Sequence, residues 1–224
     1  MQSKLLPACS VIATLLGLIP AICQAHDSDV APVDGFPQVL VTTTQGEFVI
    51  ELETTRAPVT SRNFLRLVES GYYKNSIFHR VIRDFVVQGG GHGRDYAPLP
   101  GVPDIINESG NGLSNQRGTI AMARGDAPHS ASSQFYINVV NNEKLDPRSD
   151  RWGYTVFGHV TDGMDTIDDI SVLPTGSAPG FAEDVPAMPV VVRDMRVLSQ
   201  EEIDARMAAE LEAAKQLLES LEDE

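Results

Sequence analysis

Cysteine is almost missing from this chain. Cys9 and Cys23 are the only two, and both fall in the first 25 residues. Positions 26 to 224 hold no thiol, which excludes disulfide staples and cysteine nucleophiles from that part of the chain. Positive charge is scarce too: 17 lysines and arginines stand against 31 aspartates and glutamates, a net charge of −14. A chain this acidic is a poor partner for nucleic acid or an anionic membrane, both of which recruit lysine and arginine. No His/Cys/Asp set has zinc-ligand spacing, and the five histidines are scattered singly. There is no G-x-S-x-G elbow. Asp126, His129, Ser130 and Ser133 lie too close together on one polar loop to stack as a hydrolase triad. GGGHGRDY matches a phosphate cradle in glycine content only, because it lacks the Lys-Ser/Thr pair and a following helix. No internal repeat is found.

What is present begins with MQSKLLPACSVIATLLGLIPAICQA: one cation, a long apolar stretch and a small-residue end. That is the pattern of a secretory leader cleaved after Ala25, so residues 1–25 are expected to be a signal peptide and the protein to be exported. Pro20 and the small-residue exit weigh against a membrane anchor, and bulky Ile22 weighs against a lipid on Cys23. Cleavage would remove Lys4, one of the 17 basic residues, leaving 16 against 31 acidic ones and a net charge near −15.

Residues 26–37, polar and proline-bearing, read as a linker. QVLVTTTQGEFVIELE then carries two strand-like runs around Gln45-Gly46, a hairpin signal. In APVTSRNFLRLVESGYY, Pro58 marks a helix start and Gly71 a stop, with Val59, Phe64, Leu65 and Val68 on one face. FHRVIRDFVVQGGG (78–91) reads as one further strand ended by its glycines. Residues 92–118 read as long surface loops. Strands are expected in GTIAMA (118–123), SSQFYINV (132–139), YTVFGHV (154–160) and MPVVVRDMRVL (188–198), with a short helix in TDGMDTIDDIS. Seven or eight short strands and two helices favour a mainly β fold, a closed barrel with capping helices. The last segment, 199–224, opens with Ser199 and Glu202 as a capping box. It repeats Ile203, Met207, Leu211, Ala214, Leu218 and Leu221 as the apolar stripe of an acidic amphipathic helix.

Arg80, Gln88 and Gln134 sit in or beside runs containing Phe78, Phe85, Val86, Phe135 and Tyr136. A half-buried guanidinium needs acceptors. It could hold a structural ion pair, or it could meet a peptide backbone in an apolar groove. Composition leaves both open.

FHRVIRDFVVQGGG, GTIAMAR, SSQFYINV and YTVFGHV, in that order and spacing, resemble the cyclophilin family of peptidyl-prolyl cis-trans isomerases over residues 38–198. With the leader, the chain looks most like the bacterial periplasmic members. The resemblance implies a closed eight-stranded antiparallel barrel capped by two helices, a substrate groove on its outer surface, and neither cofactor nor metal. By the same resemblance Arg80 is the catalytic arginine and Gln88 the glutamine that orients it. Phe85, Val86, Tyr136 and Leu145 fall in the proline pocket, Ala123 and Arg124 on the segment that pairs with the peptide, and Gln134 and Tyr154 beside it. There are departures from the family pattern. Val86 replaces a common methionine, Arg124 an asparagine, and Tyr154 a histidine of eukaryotic members. Lys144 stands where many members carry an aromatic residue, and weak cyclosporin binding is expected in consequence; Trp152 lies eight residues too late to replace it. The implied activity is isomerisation of X–Pro bonds in exported polypeptides as they fold, with the periplasm as the expected compartment and proline-containing unfolded chains as partners. A non-catalytic proline-peptide binder or holdase chaperone is the alternative. Self-association through the C-terminal helix is a third role left open.

Overall fold

The computed structural model describes residues 35–222, so the expected leader and most of the expected linker lie outside the described residues. The first hairpin joins β1 (Gln38–Thr43) to β2 (Glu47–Leu52). Its turn closes through the Thr43 amide, which donates to the Gly46 carbonyl at 2.8 Å. Helix α1 (Pro58–Glu69) starts with proline, whose missing N–H costs nothing there. The Glu108 carboxylate accepts from the next two amides, Val59 and Thr60, at 3.1 and 2.9 Å. The helix stops at Gly71, which takes a φ of +70° that a side chain would resist.

The remaining strands are β3 (Ser76–Ile82), β4 (Val86–Gly93), β5 (Thr119–Met122), β6 (Phe135–Asn138), β7 (Val156–Asp162), β8 (Thr175–Ala178), β9 (Phe181–Pro186) and β10 (Val190–Val197). Helix α2 (Met164–Ser171) follows β7, and α3 (Gln200–Glu222) ends the described chain. Eight strands close a barrel in the order β1-β10-β3-β4-β6-β5-β7-β2, every pair antiparallel. Its inside is filled by Phe48, Phe64, Phe78, Phe135, Phe157 and Tyr73, all essentially inaccessible. Phe64 of α1 meets Phe135 edge-on at 5.5 Å. An interior so filled has no lumen for a ligand, so a binding site has to lie outside.

Three expectations need correction. FHRVIRDFVVQGGG is not one strand: it turns at Arg83–Phe85 and supplies both β3 and β4. Asp84 makes the turn at a φ of +56°, a left-handed conformation that aspartate tolerates better than most residues. The glycines do not end a strand either. They lie inside β4, where a Cβ on Gly89 would come within 2.9 Å of the Phe78 ring, and one on Gly91 within 2.5 Å of the Gln134 side chain. Their smallness admits those neighbours. Finally, Thr175–Pro186 forms a two-stranded hairpin, β8-β9, outside the barrel and packed beside β3, where no strand is predicted.

The capping box of α3 forms: the Ser199 hydroxyl accepts from the Glu202 amide at 3.3 Å, and the Glu202 carboxylate accepts from the Ser199 amide at 3.0 Å. Ile203 packs with Leu40, Val49 and Leu198 on the barrel's outside. Farther along, Met207, Leu211 and Leu218 are exposed.

Candidate functional site

Barrel register assembles the site. Arg80 on β3 pairs with Gln88 on β4, Gln88 with Tyr136 on β6, and Tyr136 with Ala121 on β5. Directly paired residues point to the same face, so this row crosses four strands on the outer surface. The register slips between Phe78 and Arg80. Without that bulge the two residues, two apart, would share a face. With it Phe78 enters the core while Arg80 turns outward.

On that face lies a second apolar cluster, separate from the barrel core. Val86, Ala121, Tyr136 and Val156 are its buried members, with Phe85, Leu113, Ala123, Leu145 and Tyr154 packed against them. It walls an open groove of about 420 Å³ lined by Arg80, Phe85, Val86, Gln88, Ala123, Arg124, Tyr136, Leu145 and Tyr154. Nine of the ten site residues named from the sequence thus meet in one place. The tenth, Gln134, lines an adjoining recess of about 280 Å³ that shares Gln88, Ala123 and Arg124.

The polar side chains are tied together. Arg80 donates from Nη1 to Gln88 Oε1 at 3.3 Å, and Gln88 donates from Nε2 to Gln134 Oε1 at 3.1 Å. The apolar walls are equally fixed. The Tyr136 hydroxyl donates to Asn115 Oδ1 at 2.7 Å, and burial raises its pKa well above the usual tyrosine range, so it stays protonated. The Phe85 carbonyl accepts from the Val139 amide at 3.1 Å and from Asn142 Nδ2 at 2.9 Å. The Tyr154 amide donates to the Leu145 carbonyl at 3.0 Å, joining the two far walls.

Arg124 and Ala123 are less available than their positions suggest. The Ala123 amide already donates to the Gln134 carbonyl at 2.9 Å. Arg124 folds over the Tyr154 ring, 4.7 Å from its centre, and donates to the carbonyls of Gly125 and Trp152, each at 2.9 Å, and Gly153 at 3.3 Å. Lys144, in a short 3₁₀ turn at Glu143–Leu145, holds its ammonium 4.4 Å from the centre of the Phe85 ring. Trp152 lies elsewhere, edge-on to His129 at 5.1 Å and lining a different cleft with Pro147 and Arg148.

Sequence reasoning missed Asp184. It sits on β9 at a φ of +65°, with its Oδ2 3.8 Å from Arg80 Nε. Nothing in the string EDVP marks it as a neighbour of the arginine; the β8-β9 hairpin brings it there. Beside Arg80 on β3, buried His79 lies 4.5 Å from His92 between ring centres and 5.6 Å from Phe181. Burial, then the neighbouring His92, lowers its pKa to about 4, so it is neutral at pH 7.

Comparison with known proteins bears on the family and the fold. The sequence profile of the family described as "Cyclophilin type peptidyl-prolyl cis-trans isomerase/CLD" matches residues 38–197. The chain is 47% identical over 163 residues to peptidyl-prolyl cis-trans isomerase cyp18 of Streptomyces antibioticus, covering 71% of this chain and 98% of that one. It is 45% identical to peptidyl-prolyl cis-trans isomerase B of Escherichia coli, covering 69% and 96%. It is 38% identical to peptidyl-prolyl cis-trans isomerase A of Dickeya dadantii, covering 89% and 100%. Among solved structures, a cyclophilin type isomerase of Cryptosporidium parvum superposes with a TM-score of 0.62 at 28% identity, over 74% of this chain and 99% of that one. Another crystal structure of the same protein was determined in the presence of the dipeptide Ala-Pro, with a TM-score of 0.61.

Proposed function

For a chain that belongs to the cyclophilin type of peptidyl-prolyl cis-trans isomerases, we propose that the groove beside Arg80 binds the X–Pro segment of exported polypeptides and speeds its rotation as they fold. The observation that carries this reading is the meeting of one fixed guanidinium with a preformed apolar pocket on the barrel's outer face.

Rotation about a peptide bond faces a barrier of roughly 18–20 kcal/mol, because resonance gives the C–N bond double-bond character. At X–Pro the two isomers differ by only about 0.5–1 kcal/mol, yet exchange unaided takes on the order of tens to hundreds of seconds. No covalent bond breaks, so no nucleophile, acid or base is needed. An enzyme has only to bind the twisted amide better than either planar form.

In the twisted amide the prolyl nitrogen regains its lone pair and becomes an acceptor. Arg80 meets it with a charged donor whose orientation Gln88 and Gln134 fix beforehand, so little reorganisation remains at the moment of rotation. Phe85, Val86, Tyr136 and Leu145 hold the pyrrolidine ring, and Ala123, Arg124 and Tyr154 flank the rest of the peptide. Lys144 in place of an aromatic residue supports weak binding of cyclosporin. In this reading residues 1–25 are a leader that exports the protein, residues 26–37 a linker and residues 199–224 an appendage; the periplasm is the compartment. No specific observation favours the reading as a non-catalytic binder.

Titration of an Ala-Pro peptide into isotopically labelled protein tests the assignment. The amides of Arg80, Gln88, Ala123 and Tyr154 are expected to shift, and exchange spectroscopy is expected to show faster cis-trans exchange of the same peptide. Shifts confined to the Pro147–Trp152 cleft would overturn it.

A further inference from the structure

Resting on the groove assignment above, we propose that Lys144 and Arg124 make this isomerase select peptides with an acidic side chain beside the proline. The chain as a whole carries a net charge of −14, yet the rim of its groove has the opposite sign. Arg80, Arg124 and Lys144 all stand there. Only Arg80 faces a carboxylate, Asp184 at 3.8 Å. Among the described residues, neither Lys144 nor Arg124 has an acidic oxygen within 4.0 Å.

What each cation meets instead leaves its charge uncancelled. Arg124 spends its donors on backbone carbonyls, which satisfy hydrogen bonds but carry no net charge. Lys144 is exposed, and its ammonium lies over the Phe85 ring, beside the groove that this ring lines. Asp146, which follows Leu145 of the groove wall, has its carboxylate engaged elsewhere: it accepts from the Ser114 hydroxyl and from the Asn115 amide and Nδ2.

Phe85 and Tyr154 belong to the same apolar cluster and line the same groove, so the two cations rest on rings of one continuous surface, Lys144 on a ring of the proline pocket and Arg124 on one that flanks the rest of the peptide. Successive Cα atoms are about 3.8 Å apart. A glutamate immediately before or after the proline therefore brings its carboxylate within reach of one or both. A lysine at the same place meets two like charges. Exposed ion pairs are individually weak, so the discrimination is modest. Attraction of one peptide and repulsion of the other together give a preference of about three- to tenfold in kcat/KM. The long-range field of the acidic chain opposes this preference, but it is largely screened at ~0.15 M salt, where the Debye length is about 8 Å.

The experiment uses the full chain and two series of short peptides, carrying Glu, Gln or Lys either just before or just after the proline. Exchange spectroscopy at 0.15 M salt gives kcat/KM for each without a coupling protease, whose own specificity would intrude. The Glu peptide is expected to exceed the Lys peptide by about three- to tenfold in at least one series, and the ratio is expected to fall towards one in 1 M NaCl. In Lys144→Glu the ratio is expected to drop severalfold, whatever happens to the absolute rate; thermal melting verifies that this exposed substitution leaves the fold intact. A ratio near one in both series of the wild type, or a ratio unchanged in Lys144→Glu, would overturn the proposal. The Gln peptides keep the two readings apart. If none of the peptides is accelerated, the groove assignment itself fails. If the Gln peptides are accelerated and charge makes no difference, only the selectivity fails.

Discussion

Removing the guanidinium of Arg80 bears most directly on the proposed chemistry, and the structure bounds the result from two sides. On the catalytic side, a preorganised donor in a water-excluded site stabilises a transition state by roughly 2.7–4 kcal/mol. Arg80 is less secluded, with its side chain 41% exposed, so screening brings the expected loss down to about 1.5–3 kcal/mol, the range of a hydrogen bond to a charged group. At ~1.4 kcal/mol per tenfold, Arg80→Ala should lower kcat/KM about 10- to 150-fold. Because the group acts on the twisted amide, most of that fall should be in kcat. On the structural side, the substitution removes one 3.3 Å hydrogen bond and one partly exposed ion pair at 3.8 Å. Those contribute about 0–1 kcal/mol, so the melting temperature should move by less than roughly 4 °C. The rate is best read near 10 °C, where the uncatalysed exchange of an X–Pro peptide takes minutes and the catalysed one stands clear of it. A mutant within twofold of wild-type turnover and with an unshifted melting point would refute the role given to Arg80.

Asp184→Asn keeps the side chain's shape and removes the charge facing Arg80 Nε; kcat should fall about two- to fivefold with KM moving less, and the change should add nothing on top of Arg80→Ala. Unchanged kcat would make Asp184 a bystander. His79 supplies a pH signature. Its pKa is about 4 in the folded protein against 6.5 for an unperturbed histidine, so between those values the unfolded chain binds more protons and acid favours unfolding. Stability should be full above about pH 7 and fall, by on the order of 3 kcal/mol, as pH drops towards 4. Urea unfolding at several pH values measures it. The carboxylates contribute their own slope, so the comparison is with His79→Phe, whose loss of stability over this range should be smaller; equal slopes would rule His79 out as a source.

Most of the barrel is legible because its strands are short apolar runs bounded by Gly, Asn or Asp, as around Gln45-Gly46. The hairpin within FHRVIRDFVVQGGG is not, for a physical reason. The apolar run continues on both sides of the turn, and Arg83-Asp84 reverses the chain without the Asn-Gly or Asp-Gly pair that announces a hairpin. The β8-β9 hairpin hides in PTGSAPGFAEDVP, where glycine and proline advertise loop. Its strands exist through pairing with each other and packing against β3. In the tail, the spacing of Ile203, Met207 and Leu211 dictates a helix but not what its stripe meets. Only Ile203 reaches the barrel cluster, while Met207 and Leu211 stay exposed.

Arg80 joins the two halves of the problem. Composition left it as either the cation of a structural ion pair or a donor in a peptide groove, and these alternatives are not exclusive. The bulge between Phe78 and Arg80 turns the guanidinium outward, where Gln88 and Asp184 approach different nitrogens of the same group. A guanidinium offers five N–H donors in a rigid plane, so anchoring some of them aims the rest. The ion pair is then part of the device that positions the donor. That predicts a graded order: Arg80→Lys keeps the charge but loses the planar fork, and should fall between wild type and Arg80→Ala in kcat. If Arg80→Lys matched wild type, charge alone would suffice, and the anchoring by Gln88 and Asp184 would have no catalytic consequence.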